Sequence, residues 1–205
     1  MEIKKRILTK ARKMFVKQGI RAITMDHIAD QMGISKRTIY VNFKDKNDLI
    51  INCVNDAIVT QKTKDDQIIS DTPNCLIALI KFMEHNIASV KAINPCYFHD
   101  LEKYYPKIWE SKIKEIDNYR YKRLIDLLQK GVSNRIYRKD IDIEIVAITI
   151  QNIFKSICSP VVYPITKHSQ KLVFPNAIIN YTRGIVNEIG MEYLESNKSI
   201  KPNLA

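Results

Sequence analysis

Apolar residues recur along this chain at intervals of three and four, and strand-like alternation is scarce, so nearly all of it is expected to be helical. Ile3, Ile7, Ala11, Met14 and Phe15 form a first stripe, with Lys4, Lys5, Arg12, Lys13 and Lys17 off it. Gly19 follows where a helix C′ residue would stand. Thr24 is a good N-cap for a second helix that reaches Met32 and is broken by Gly33. Ser35 can cap a third, very short helix through Tyr40. Asp45 caps a fourth, with Asp48 three residues on as its capping-box partner. That fourth helix is predicted from Lys46 to Thr60, and the polar stretch QKTKDDQIISDTPN reads as a connector.

Past the connector, Pro73 marks the start of helix five, whose stripe is Leu76, Ile80, Met83, Ile87 and Val90. Asn94 and Pro95 make a cap and first-turn proline for a short sixth helix ending near Tyr105. Pro106 opens a long seventh that runs to Gln129 and is stopped by Gly131. SNRIYRKDID reads as a turn. Helix eight covers Ile143 to Ser159 and is closed by Pro160. PVVYPITKHSQKLVFP is read as irregular, and helix nine covers Asn176 to Glu195. The polar last ten residues are expected to fray. No internal repeat is visible. The expectation is an all-α chain of about nine helices.

Composition narrows the class. A hydrophobic fraction of 45% in 205 residues excludes a disordered chain. No apolar run reaches the ~18 residues of a membrane span: the stretch from Ile145 to Ile150 is cut off by Gln151 and Asn152. MEIKKRILTK has a basic start but no apolar segment after it, so a cytoplasmic location with no membrane partner is expected. Cys53, Cys75, Cys96 and Cys158 include no CxxC pair, and read as reduced thiols packed as small hydrophobes. Cys96 and His99 stand three apart, but two ligands are too few for a site, so no metal and no cofactor is expected. GxSxG, HExxH, P-loop and dinucleotide fingerprints are absent, so no enzyme is expected. The net charge is +11, and residues 1–60 hold 12 Lys+Arg against 6 Asp+Glu, a net of +6. That segment is roughly three times as basic per residue as the remainder, which implies an anionic partner for it.

The segment TMDHIADQMGISKRTIYVNFKDKNDL, Thr24 to Leu49, has the parts of a helix-turn-helix. Two helices packed closely need a small residue at their crossing, Ala29. A tight turn that favours positive φ needs a glycine four residues later, Gly33. The second helix needs an apolar residue pointing back, Ile39, and Ile28, Met32 and Ile34 complete the small core. The outward positions are then Ser35, Lys36, Arg37, Thr38 and Tyr40, donor-rich side chains suited to base edges and phosphates. An A-x3-G-x5-I spacing alone arises by chance in many helical proteins. A basic amphipathic helix before it, and Tyr40, Phe43 and Lys46 after it, make the pattern specific.

With those flanks the sequence resembles the TetR-type transcriptional regulators. Their signature, T-x3-I-A-x3-G-[IV]-S-x3-[IL]-Y-x2-F-x2-K-x2-L, is matched without gaps by Thr24, Ile28, Ala29, Gly33, Ile34, Ser35, Ile39, Tyr40, Phe43, Lys46 and Leu49. The resemblance covers about residues 3–55. It implies a DNA-binding domain over residues 1–47 and a helical effector-binding and dimerisation domain over residues 48–205. It also implies a homodimer on a palindromic double-stranded operator. Thr24 and Tyr40 then look like phosphate contacts, Lys36, Arg37 and Thr38 like groove-facing residues, and Lys46 like a lysine that holds the DNA backbone. Ser35 is a cap first and a contact second, and Phe43 is core. Arg37 either reads guanine or adds a phosphate contact.

Beyond the motif the chain agrees with that family in length and helical layout only. Helix eight is apolar over more than half its circumference, through Ile145, Val146, Ile148, Ile150, Ile153, Phe154 and Ile157. Helix nine carries Ile178, Thr182, Ile185, Ile189 and Tyr193. Together they suit a four-helix interface between two subunits, with Ile150, Ile153, Ile157, Ile178, Thr182, Ile185 and Ile189 as its residues. Aromatic residues crowd helices five to seven, where the resemblance implies a pocket for a small apolar effector. Phe82, His85, Tyr97, His99, Trp109 and Phe154 are its candidate lining. Aromatics at helical spacing are as readily core, and a body with no small effector is the competing expectation.

Overall fold

The protein is described here by a computed structural model covering residues 2–164 and 166–196. The expected fraying of the last ten residues falls, beyond Ser196, outside the described residues. The helices are α1 (Ile3–Gln18), α2 (Met25–Met32), α3 (Lys36–Asn42), α4 (Lys46–Ser70), α5 (Cys75–Lys91), α6 (Pro95–Tyr104), α7 (Pro106–Ser133) and α8 (Ile143–Cys158). They are followed by α9 (Gln170–Phe174), a π turn (Pro175–Ile179), α10 (Asn180–Ile185) and α11 (Glu188–Ser196). The all-α class is therefore observed. Among the described residues β structure is limited to a one-residue antiparallel bridge between Tyr137 and Val186.

The described residues fall into two packing units. Among the described residues the first draws on 2–64 and 92–116, the second on 65–91 and 117–196. The first core gathers Ile7, Ala11, Phe15, Ile28, Ile39, Phe43 and Leu49, together with Tyr97 and Leu101 of α6. The second gathers Leu76, Leu79, Phe82, Met83, Leu124, Leu128, Ala147, Ile150, Ile178 and Leu194. α4 contributes residues to both units.

Three expectations are corrected. The supposed connector from Gln61 to Ser70 is helical and continues α4. Its charges find distant partners: Lys62 Nζ lies 2.7 Å from Glu115 Oε1, and Asp66 lies 2.7 Å from Arg123 and accepts the Tyr119 hydroxyl at 2.8 Å. A polar helix can persist when tertiary contacts hold its side chains. α7 does not stop before Gly131 but runs to Ser133. Gly131 is required for another reason, since a Cβ there would sit 2.1 Å from the ring of the buried Tyr137.

The third correction concerns helix nine, which begins earlier and is interrupted twice. Gln170–Phe174 is already helical, and Pro175 does not end it. The missing proline N–H is absorbed by a π turn, in which the Asn180 N–H reaches back five residues to the Pro175 carbonyl. At Val186 the backbone becomes extended, φ −86° and ψ 158°. Here the chain serves the 135–138 turn: Arg138 N–H donates to Ile185 O and Asn187 N–H to Ile136 O, both at 3.0 Å.

Candidate nucleic-acid interface

The first unit sets a short helix on a rigid base. The α1 face of Ile7, Ala11, Met14 and Phe15 is buried. Thr24 caps α2, its hydroxyl accepting the His27 N–H at 3.0 Å. Gly33 ends α2 in the left-handed region, φ 63° and ψ 34°, donating to Ala29 O and Asp30 O, while Ile34 N–H also reaches Ala29 O. That hairpin turn swings the chain into α3. Ser35 caps α3, its hydroxyl accepting the Thr38 N–H at 3.1 Å. Ile39 is buried and pins α3 to the core. Asp45 then caps α4 by accepting the Asp48 N–H at 2.8 Å, while Asp48 accepts the Lys44 N–H at 3.0 Å, one residue earlier than a standard capping box.

The structure places the expected DNA-contact residues as follows. Thr24, Ser35, Lys36, Arg37 and Tyr40 are exposed and Thr38 is half-buried. The hydroxyls of Thr24 and Ser35 accept cap hydrogen bonds, which leaves each an O–H to donate. Ser35 Oγ and Thr38 Oγ1 lie 2.9 Å apart. The Lys36 ammonium sits 2.7 Å from Asp26 Oδ1 on α2, and the hydrogen bond to Asp26 raises its pKa. Lys46 is half-buried and its ammonium donates to Ile20 O at 2.8 Å. Burial lowers its pKa against the pull of the Asp100 carboxylate. Phe43 is core, 1% exposed.

Sequence reasoning overlooked three residues of this unit. Val41 on α3 is 78% exposed, and its spacing from Ile39 was the available signal. Asp26 holds Lys36, a partnership between helices that no local pattern announces. Asp100 of α6 is buried and accepts the Arg21 N–H at 2.8 Å, while Asn94 accepts the Cys96 N–H and donates to Lys17 O. Arg21 also donates to the Tyr104 hydroxyl at 2.8 Å. These bonds fasten α6 to the end of α1.

The six candidate effector residues divide between the units. Tyr97 and Trp109 pack into the first core and His99 is exposed on α6. Phe82, His85 and Phe154 belong to the second unit. Phe82 is completely buried and Phe154 lies 3.9 Å beneath the guanidinium of the buried Arg120, itself paired with Asp117 at 2.9 Å. Of the seven candidate interface residues, Ile150, Ile157, Ile178, Thr182 and Ile185 are buried within the second unit's own core, and Ile153 is half-buried. Ile189 is exposed, as are Ile145, Ile148 and Tyr193. Among the described residues no group of three His, Cys, Asp or Glu could hold a metal ion, and no helix is long and apolar enough to cross a membrane.

Comparison with known proteins agrees with this head. The sequence profile of the bacterial regulatory proteins, tetR family, matches residues 7–53. The HTH-type transcriptional repressor KstR2 of Mycolicibacterium smegmatis is 26% identical over 148 residues, 68% of this chain and 70% of the relative. A TetR-family transcriptional regulator from Marinobacter aquaeolei shares the fold with a TM-score of 0.73 at 18% identity, over 98% of this chain and 100% of that one. The ketosteroid transcriptional regulator KstR2 of Mycobacterium tuberculosis does so with a TM-score of 0.58 at 21% identity, over 91% and 96%. The profile falls on the same helices that the motif residues build into the head, and the relatives matched by sequence and by fold are regulators of this kind. Residues 7–53 thus match the DNA-binding head of the bacterial regulatory proteins, tetR family, and the profile and the relatives together support a TetR-family DNA-binding transcriptional regulator.

Proposed function

We propose that this regulator is a repressor that binds a palindromic operator as a homodimer in the cytoplasm and is released by a small apolar effector. The observation that carries the reading is α3: Lys36, Arg37 and Tyr40 are exposed on a helix whose opposite residue, Ile39, is buried. One such helix reads few base pairs, and a two-fold pair reads two half-sites about 34 Å apart. The dimer contact is assigned to the outward residues Ile145 and Ile148 of α8 and Ile189 and Tyr193 of α11, backed by the buried row Ile150, Ile157, Ile178 and Ile185. Thr24, Tyr40 and Lys46 are assigned to phosphates, and Lys36, Arg37 and Thr38 to the groove.

Release requires an effector that prefers the state in which the heads no longer match the groove spacing, with a coupling of about 1–3 kcal/mol. α4, which has residues in both units, is the element assigned to carry that change. The description of the M. tuberculosis relative as a ketosteroid regulator supports an apolar effector class. A second reading, regulation without a small effector, is favoured by the complete burial of Phe82 and the Arg120 guanidinium stacked on Phe154, which leave that part of the second unit filled.

Selection of binding sites from a random duplex pool at fixed salt tests the proposal. An enriched palindrome is expected. No enriched sequence, with the protein dimeric in sedimentation, would overturn it. Adding hydrophobic compounds to the protein–operator complex then separates the two readings, since only the first expects release.

A further inference from the structure

α3 leaves little choice about which side chains read sequence. At about 100° per residue, Arg37 and Val41 both lie within about 20° of the direction opposite Ile39. Apart from the exposed Tyr40, the residues on either flank are already engaged. On one side Lys36 is held by both carboxylate oxygens of Asp26, at 2.7 and 2.9 Å. On the other, Thr38 is bonded to the Ser35 cap and the Asn42 amide donates to Thr38 O at 2.8 Å. Arg37 has no ion pair or hydrogen bond among the described residues, so its five donors are available. Val41 is 78% exposed. A lone exposed valine would need no explanation. This one sits in a seven-residue helix that a β-branched residue disfavours, packs into no core, and stands one turn from the free guanidinium.

We propose that Arg37 and Val41 read the operator together, the guanidinium forked onto O6 and N7 of a guanine and the valine methyls against the C5 methyl of a thymine. Tyr40 then serves the backbone, and Lys36, tied to Asp26, lines the groove without a base contact of its own. The pair spans about 6 Å along the helix, and base pairs stack at about 3.4 Å, so guanine and thymine lie one or two steps apart in each half-site. An arginine fork and an apolar contact to a thymine methyl are the pairings that major-groove edges select. This inference rests on the reading of α3 as the helix in the groove.

The test uses the full-length protein and the duplex it selects from a random pool. Deoxyuridine is placed for thymidine, one position at a time, which removes only the methyl group. 7-Deazaguanine is placed for guanine in the same way, which removes only N7. For the unaltered protein one deoxyuridine per half-site is expected to weaken binding about fourfold, the worth of one buried methyl group. One deazaguanine, within two base pairs of it, is expected to weaken binding at least about fivefold. Val41→Ala abolishes the first penalty and keeps the second, and Arg37→Ala does the reverse. Both sites are exposed, so unchanged thermal melts accompany these results. A deoxyuridine penalty absent from the unaltered protein, or equal in Val41→Ala, overturns the assignment of Val41. A deazaguanine penalty that survives Arg37→Ala overturns that of Arg37. A pool with no enriched sequence overturns the inference together with the reading on which it rests, whereas an enriched palindrome insensitive to both analogues overturns the inference alone.

Discussion

The ammonium of Lys46 donates to the Ile20 carbonyl at 2.8 Å, so its removal takes away a brace inside the head as well as a surface cation. Lys46→Met is expected to lower stability by about 1 kcal/mol, discounted for its partial exposure, and to lower the salt slope of DNA binding by about one unit. Denaturant melts and a salt titration separate the two; a lost brace with an unchanged slope would remove Lys46 from the phosphate contacts. Tyr40→Phe, which deletes only an exposed hydroxyl, is expected to weaken binding to all sequences alike without moving the melt. The thiols give a third check. Burial pushes Cys53 up to about 12 and Cys158 up to about 11, and raises Cys75, whereas Cys96 is exposed. Because the thiolate is the reactive form, iodoacetamide at pH 7.5 (about one unit below an ordinary thiol) should label Cys96 in the native protein and the others only on unfolding. Peptide mapping that finds native Cys53 labelled as fast as Cys96 would contradict this packing. What could be read locally at these positions was capping: Thr24, Ser35 and Asp45 each accept the bond their residue type and place implied. The partners of Lys36 and Lys46 lie on other elements, and no neighbour in sequence announces them.

Helices were legible where an apolar face met a strong stop, and misread where long-range contacts decided. α1 and α2 have a buried face and α3 a single buried anchor, Ile39; each ends at a clear stop or starts at a capping residue, and their predicted ends hold to within two residues. The end of α4 was missed because Lys62 and Asp66 are anchored by Glu115 and Arg123, far away in the chain. Pro175 and Gly131 misled for one reason: each is usually a terminator, and here each is accommodated inside a helix. Two glycine substitutions separate backbone from packing costs. Gly33→Ala meets nothing within 4 Å but must hold φ at +63°, so a loss of about 1–2 kcal/mol is expected. Gly131→Ala keeps an ordinary helical backbone but drives a methyl into the Tyr137 ring. It is expected to cost more, toward the upper end of the ~1–3 kcal/mol typical of overpacking. Denaturant midpoints of the two variants check the order, and a Gly131→Ala protein as stable as the parent would show that Tyr137 can move aside.

The proposed dimer depends on surfaces that composition hints at but does not locate. An excess of apolar residues on α8 implied burial on two sides, yet could not say which side faces a partner. Folding sorts them: Ile150 and Ile157 turn inward while Ile145 and Ile148 stay out. Ile148→Glu is therefore expected to give folded monomers in analytical ultracentrifugation, because the site is half exposed and the subunit's own core does not need it. An intact dimer would move the interface elsewhere. The expected effector pocket was the least legible reading, since an aromatic residue at helical spacing looks the same whether it lines a cavity or fills a core; Phe82 is completely buried.

The fastening of α6 onto α1 carries a practical consequence for protein engineering. The reading head is not a contiguous stretch of chain: its core includes Tyr97 and Leu101, and Asp100 ties the Arg21 backbone in place. A chimera that grafts residues 1–64 onto another regulator's body would leave those contacts to a foreign sequence. Specificity is better transplanted by exchanging α3 alone within an intact host, or by moving residues 92–116 together with the N-terminal graft, so that the donor head arrives with its own clasp.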